Sequence, residues 1–281
     1  LWQNVKTGIK RLLMYRRKWL REKVELVDGG AMERMLLHPC VAHRGWSGRA
    51  PENTLAAFRL AMQLPAVQWL ELDVQLSRDG IPVVIHDPTL KRTTNGGKRR
   101  VSTLTAAELA GLDAGAWYHP DFAGQPVPTL DQVLALTVGR CKLNVEIKGE
   151  DADPGVIVRQ VLNTLKAHGM THDAVITSFR PEVLKAVKQL DATVRTGLIL
   201  DANPPDLLAT VQSLGCSMLS IGYRNLTAKL LDDAAQRGIL VMAWTVNGTA
   251  DLKRLVLRPE PVMICTNHPD RWLAAIENVE D

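Results

Sequence analysis

The 281-residue chain predicts a (β/α)8 TIM barrel with a small insertion after its second strand and a basic helix ahead of it. Three observations carry this prediction. Apolar strands and amphipathic helices alternate with short connections, which makes a parallel sheet, and eight such units close into a barrel. Polar residues able to do chemistry stand at the C-terminal ends of several of those strands, where the mouth of a barrel lies. No G-x-G-x-x-G follows the first strand, which argues against an open doubly wound sheet.

In chain order, residues 1–23 carry eight basic side chains against Glu22, a net +7, while the remainder carries −3. Trp2, Val5, Ile9, Leu12, Leu13, Trp19 and Leu20 recur there at helical spacing. The pattern predicts a basic amphipathic helix that lies on an anionic membrane surface or packs on the barrel or a partner. No basic motif recurs elsewhere, so nucleic acid is not an expected partner. Residues 1–37 form the expected extension and 38–281 the barrel, with Glu25–His38 read as a short connecting segment and the insertion at about 77–128. No run of about 18 apolar residues would span a bilayer, and no compact apolar segment marks a secretory signal. The expectation is a cytoplasmic protein with peripheral membrane contact through residues 1–23. Cys40, Cys141, Cys216 and Cys265 lack C-x-x-C spacing and read as reduced, buried thiols.

The first strand, from Cys40, ends in His43-Arg44-Gly45, and a helix follows from Leu55 behind Pro51 and a polar cap. The second is Trp69–Leu76, in which alternation puts Glu71, Asp73 and Gln75 on one face. Ser77-Arg78-Asp79-Gly80 is too short for a crossover, so Pro82–Asp87 folds back antiparallel and brings His86 toward the carboxylates. From Pro88 to Pro128 periodicity fades except for a short helix near Ala106–Leu112. Thereafter strands at Lys142–Lys148, Ala174–Phe179, Arg195–Leu200, Met218–Tyr223, Leu240–Val246 and Val262–Thr266 alternate with helices, the last running from Pro269 to Val279.

If these strands close, His43, Arg44, Glu71, Asp73, Asn144, Glu146 and Lys148 converge on one mouth, with Ser178, Tyr223, Trp244, Asn247 and Thr266 from later strands. Three inward carboxylates need compensation. All-oxygen ligation by Glu71, Asp73 and Glu146 suits Ca²⁺ or Mg²⁺. A buried ion-pair network with Arg44 and Lys148 is the alternative. His43 and His86 suit proton transfer near neutrality, and Arg44 and Lys148 suit an anion such as a phosphate.

His43-Arg44-Gly45, Pro51-Glu52-Asn53-Thr54, Glu71-Leu72-Asp73-Val74, His86-Asp87, Arg92-Thr93-Thr94, Val127-Pro128-Thr129-Leu130, Glu146-Ile147-Lys148, Ser178-Phe179 and Trp244-Thr245-Val246-Asn247, in this order, strongly resemble the glycerophosphodiester phosphodiesterases. The resemblance runs from Val41 to about Arg271. It implies metal-dependent hydrolysis of glycerophosphodiesters to sn-glycerol 3-phosphate and an alcohol. It also implies that Glu71, Asp73 and Glu146 bind Ca²⁺ or Mg²⁺ and that His43 and His86 form the acid and base pair. By the same resemblance Arg44 binds phosphate, Lys148 lies in the phosphate and glycerol site, Trp244 walls the pocket, and Glu52 supports these groups at the mouth. Thr266-Asn267 departs from the Thr-Asp common in that family. Water and the neighbouring glycerol hydroxyl both stay open as nucleophile, as does the oligomeric state.

Two other readings compete. The basic arm, with Trp46 and Trp117 near the mouth, suits lysophospholipase D-like hydrolysis at a membrane surface. A non-catalytic lipid-binding barrel is the other, but it has no need for both histidines and all three carboxylates.

Overall fold

The Trp69–Leu76 strand is buried along its whole length, as expected of a strand with neighbours on both edges and packing on both faces. In the computed structural model, which describes residues 29–148 and 152–278, this strand (β2) lies between β1 (Cys40–His43) and β4 (Lys142–Ile147), parallel to both. The sheet continues through β5 (Ala174–Ser178), β6 (Arg195–Leu200), β7 (Met218–Gly222), β8 (Leu240–Trp244) and β9 (Met263–Thr266). Because β9 pairs back onto β1, eight parallel strands close into a barrel. The short β3 (Pro82–Val84) stands outside it and pairs antiparallel with the end of β2, Val74 opposite Val84 and Leu76 opposite Pro82.

Helices lie between the strands: α1 (Gly29–Leu37) before β1, α2 (Leu55–Ala61) after it, and α3 (Ala106–Ala110) within the insertion. The rest are α4 (Leu130–Thr137), α5 (Pro154–Ala167), α6 (Pro181–Leu190), α7 (Leu207–Ser213), α8 (Ala228–Gln236), α9 (Thr249–Val256) and α10 (Pro269–Glu277). Their starts follow from local chemistry. Thr54 caps α2 by accepting from the Ala57 N–H, Thr129 forms a capping box with Gln132, and proline opens α5, α6 and α10.

Strand alternation divides the core in two. Leu70, Leu72 and Val74 face the helices and pack in one cluster with Phe58, Leu134 and Trp272. Trp69 faces inward, and with Val41, Val175, Met218, Met242, Met263 and Cys265 it fills the barrel interior. Moving along several strands toward the C-terminal end, the inward residue turns polar: Val41 gives way to His43, Trp69 to Glu71, Val175 to Thr177 and Met218 to Ser220. The barrel is therefore plugged below and polar above. All four cysteines are free and buried.

Two segments depart from the sequence expectation. Gly29–Leu37 is a helix rather than a connection, because Ala31, Met35 and Leu36 fall on one face and bury against the barrel while Arg34 donates to the Ile276 carbonyl at the end of α10. The insertion, which looks irregular in sequence, has an apolar core of its own built from Val83, Ile85, Leu90, Val101, Leu104, Leu109, Ala114 and Val127. Their spacing fits neither 3.6 nor 2, which is why periodicity does not reveal it. The expected basic helix of residues 1–23 lies outside the described residues. Among the described residues no helix is long and apolar enough to cross a membrane.

Candidate active site

At the end of β1 the backbone turns sharply, with Arg44 at φ 57° and Gly45 at φ 80°. A left-handed arginine is costly, and such strain is held only where surrounding contacts enforce it. Here they do. The Arg44 N–H donates to Glu71 Oε2 at 2.9 Å, its Nε lies 3.1 Å from Asp73 Oδ2, and Nη1 donates to Glu52 Oε1 at 2.8 Å. Gly45 is required beside it, since a Cβ there would sit 2.6 Å from the Ala57 carbonyl carbon.

Glu71, Asp73 and Glu146 each offer an oxygen within 4.8 Å of the others. Lys148 Nζ reaches both Asp73 Oδ1, at 3.2 Å, and Glu146 Oε1. Asn53, also left-handed at φ 59°, donates from Nδ2 to Asp73 Oδ2 at 2.8 Å and accepts from the Asp73 N–H. The ion-pair network foreseen as an alternative is thus present. It leaves one carboxylate oxygen over: Glu71 Oε1 is buried without a partner, while Asp73 Oδ1 and Glu146 Oε1 both face the same Lys148 ammonium. Burial, then the neighbouring Asp73, pushes Glu146 up to about 7, and burial with Asp73 and Glu146 raises Glu71 well above the ordinary range. Burial also disfavours charge on Asp73, but Arg44 and Lys148 overcome it and hold that carboxyl below its usual range. Three carboxylates against two cations, with the unpartnered Glu71 Oε1 beside the other two carboxylates, fit a further divalent cation.

His43 Nδ1–H donates to Asn267 Oδ1 at 2.7 Å, which leaves Nε2 as the basic atom, 3.8 Å from Glu71 Oε2. Burial and the adjacent Arg44 lower this imidazole to about 4, so it is neutral at pH 7. His86 stands across the site with its Nδ1–H on Asp87 Oδ1 at 2.7 Å. The loop that carries it is clamped from below. Gln75 Nε2 donates to the carbonyls of Ile85, His86 and Asp87 at 3.1, 2.9 and 2.7 Å. Gln75→Leu, which keeps the bulk and loses the donors, is expected to lower Tm and to cut kcat about 10-fold, because buried carbonyls are left unpaired and His86 shifts. Melting curves and steady-state rates check this, and unchanged kcat would remove Gln75 from the account.

A cleft of about 520 Å³, open to solvent, is lined by His43, Arg44, Glu71, His86, Glu146, Lys148 and Trp244 among others. Asp73 lies beneath it and Glu52 behind Arg44. Trp244 meets Phe179 edge-on at 5.9 Å, and Lys148 Nζ lies 5.8 Å from the Phe179 ring centre, so an aromatic wall adjoins the charged floor. Of the later-strand residues expected at the mouth, Trp244 lines this cleft. Ser178 instead donates to the buried Ile147 carbonyl, Tyr223 to Asp251, and Thr266 to Asn247. Asn247 in turn accepts from the Asn267 N–H and so supports the partner of His43. Trp46 is buried under the Arg49 guanidinium, leaving Trp117 as the exposed member of that pair. Sequence reasoning missed Asn267, Asn53 and Phe179 as parts of the site. Each stands in a stretch singled out in the sequence, Pro51-Glu52-Asn53-Thr54, Ser178-Phe179 and Thr266-Asn267, but none was given a role there.

Residues 43–271 match the model of the glycerophosphoryl diester phosphodiesterase family. The chain is 36% identical over 218 residues to a glycerophosphodiester phosphodiesterase of Caldanaerobacter subterraneus subsp. tengcongensis, covering 77% of this chain and 88% of that one. It is 32% identical over 247 residues to a Bacillus subtilis glycerophosphodiester phosphodiesterase, covering 82% and 83%. Among solved structures, it is similar to an Oleispira antarctica phosphodiesterase in complex with the product sn-glycerol-3-phosphate, with a TM-score of 0.80 and 31% identity over 86% of this chain and 98% of that one. A putative glycerophosphoryl diester phosphodiesterase from Silicibacter pomeroyi gives a TM-score of 0.78 at 27% identity over 85% and 93%.

Proposed function

Because the chain belongs to the glycerophosphoryl diester phosphodiesterase family, we propose that it hydrolyses glycerophosphodiesters to sn-glycerol 3-phosphate and an alcohol with a divalent cation and two histidines. The observation that carries this reading is the cluster of three buried carboxylates beside Arg44, Lys148, His43 and His86 in one cleft. Glu71, Asp73 and Glu146 would hold Ca²⁺ or Mg²⁺, which when bound supplies positive charge to the phosphoryl oxygens.

The chain's own residues do the rest. Arg44 and Lys148 bind the phosphoryl group and offset charge that grows in the transition state. The aromatic pair Phe179 and Trp244 packs against the carbon skeleton and keeps water from that wall. His43, neutral and with Nε2 free, takes the proton from the attacking hydroxyl, either water or the glycerol hydroxyl, the latter leaving a cyclic phosphate that water then opens to sn-glycerol 3-phosphate. His86, with a carboxylate on Nδ1, gives a proton from its other nitrogen to the departing alkoxide. Residues 1–23 would bring the barrel to an anionic surface, and the domain division at residue 37 belongs to the same reading.

Release of sn-glycerol 3-phosphate from glycerophosphocholine tests the function. Turnover is expected to vanish with chelator and to return with Mg²⁺ or Ca²⁺. Undiminished turnover in chelator would overturn the metal, and none from intact, metal-loaded protein on any glycerophosphodiester would overturn the activity.

A further inference from the structure

Arg92 lies in the insertion, on the turn that follows the buried Leu90 and precedes the buried Thr93 and Thr94. Its guanidinium grips two carboxylates at once. Nε and Nη2 donate to the two oxygens of Asp87 at 2.8 Å each, while Nη1 and Nη2 donate to the two oxygens of Glu52 at 2.7 and 2.8 Å. Each carboxylate also serves a residue of the cleft: Glu52 Oε1 accepts from Arg44, and Asp87 Oδ1 accepts from His86. The result is a continuous chain of side-chain hydrogen bonds, Arg44, Glu52, Arg92, Asp87 and His86. Every nitrogen of Arg92 is engaged in it, so this guanidinium has no free fork with which to grip a phosphate.

The two ends of the chain are held unequally. Arg44 has independent anchors in Asp73 and Glu71, whereas the ring hydrogen bond found for His86 runs to Asp87. We propose that Arg92 is a positioning residue that fixes Asp87, and through it the His86 ring, to the frame formed by Glu52 and Arg44. The insertion thereby contributes to the chemistry through one guanidinium. The proposal rests on the role given to His86 above.

The test is a cycle of Arg92→Gln and His86→Ala, with Arg92→Lys beside it, on glycerophosphocholine with saturating metal. Arg92→Gln is expected to lower kcat about 10- to 100-fold, the usual cost of losing a group that orients a site side chain, with KM changed less than about threefold. Arg92→Lys should recover little, because an ammonium cannot grip two carboxylates side-on. In the His86→Ala background, Arg92→Gln should cost less than about threefold more, since the two act as a unit. Additive losses would overturn the proposal by showing that Arg92 acts elsewhere. A raised KM with unchanged kcat would overturn it by making Arg92 a substrate-binding residue. An active wild type with unaffected Arg92 variants refutes this inference alone, and a wild type without turnover refutes it together with the reading it rests on.

Discussion

His43→Ala is expected to lower kcat for release of sn-glycerol 3-phosphate by about 10²- to 10⁴-fold, the usual worth of a positioned general base. That corresponds to roughly 3–5 kcal/mol of barrel-mouth chemistry lost. The expectation follows from three features acting together. Asn267 fixes the tautomer by accepting from Nδ1–H, burial beside Arg44 keeps the ring neutral at pH 7, and Nε2 is left facing the carboxylate cluster. An amide partner orients the ring without charging it, which suits a base. The carboxylates are unaltered by the change, so a cation held by them, as proposed, should stabilise the variant as it does the wild type. Rates measured with several alcohol leaving groups, alongside metal titration followed by melting temperature, check both halves. Activity within about threefold of wild type would remove His43 from the mechanism.

Glu146→Gln is expected to abolish turnover and to change how stability depends on pH. Burial and Asp73 raise Glu146 to about 7, from an ordinary value near 4.5. A carboxyl with a raised folded value favours the fold when protonated. In the metal-free protein its contribution is therefore complete below about pH 4.5 and lost as pH rises through about 7; Glu71, raised by burial and the same neighbours, acts in the same direction. A divalent cation competes with those protons, so its stabilising effect should be small near pH 5 and grow toward pH 8. At 100 times the dissociation constant it amounts to about 2.7 kcal/mol, or roughly 5–10 °C in Tm. With glutamine at 146, most of this metal-induced rise should disappear, and the metal-free variant should be at least as stable as wild type at pH 8. A metal-induced rise that is independent of pH, or equal in the variant, would mean that the cation binds elsewhere.

Much of this site is legible in the residues themselves. Alternation in Trp69–Leu76 puts Glu71 and Asp73 on one face whatever the rest of the chain does, and the short Ser77–Gly80 link forces the return that brings back His86. The His43-Arg44-Gly45 and Glu146-Ile147-Lys148 motifs likewise sit at strand ends by local pattern. Tyr223 and Ser178 show where such reasoning stops. Both occupy strand ends, yet one turns outward to Asp251 and the other buries its hydroxyl on the Ile147 carbonyl.

The sequence by itself determined the eight strand–helix units, the closed barrel, and the carboxylate, histidine and cation set at its mouth, because periodicity and strand-end position are local properties. Tertiary structure alone decided which polar groups meet. Asn267 reaches His43 across 224 positions of chain because β9 closes on β1. Gln75 holds the His86 loop because that loop folds over it, and Arg92 joins Glu52 to Asp87 because the insertion's small core sets the turn against the mouth. Contacts of this kind depend on which strand ends and loops meet once the barrel has closed, which no residue's near neighbours encode.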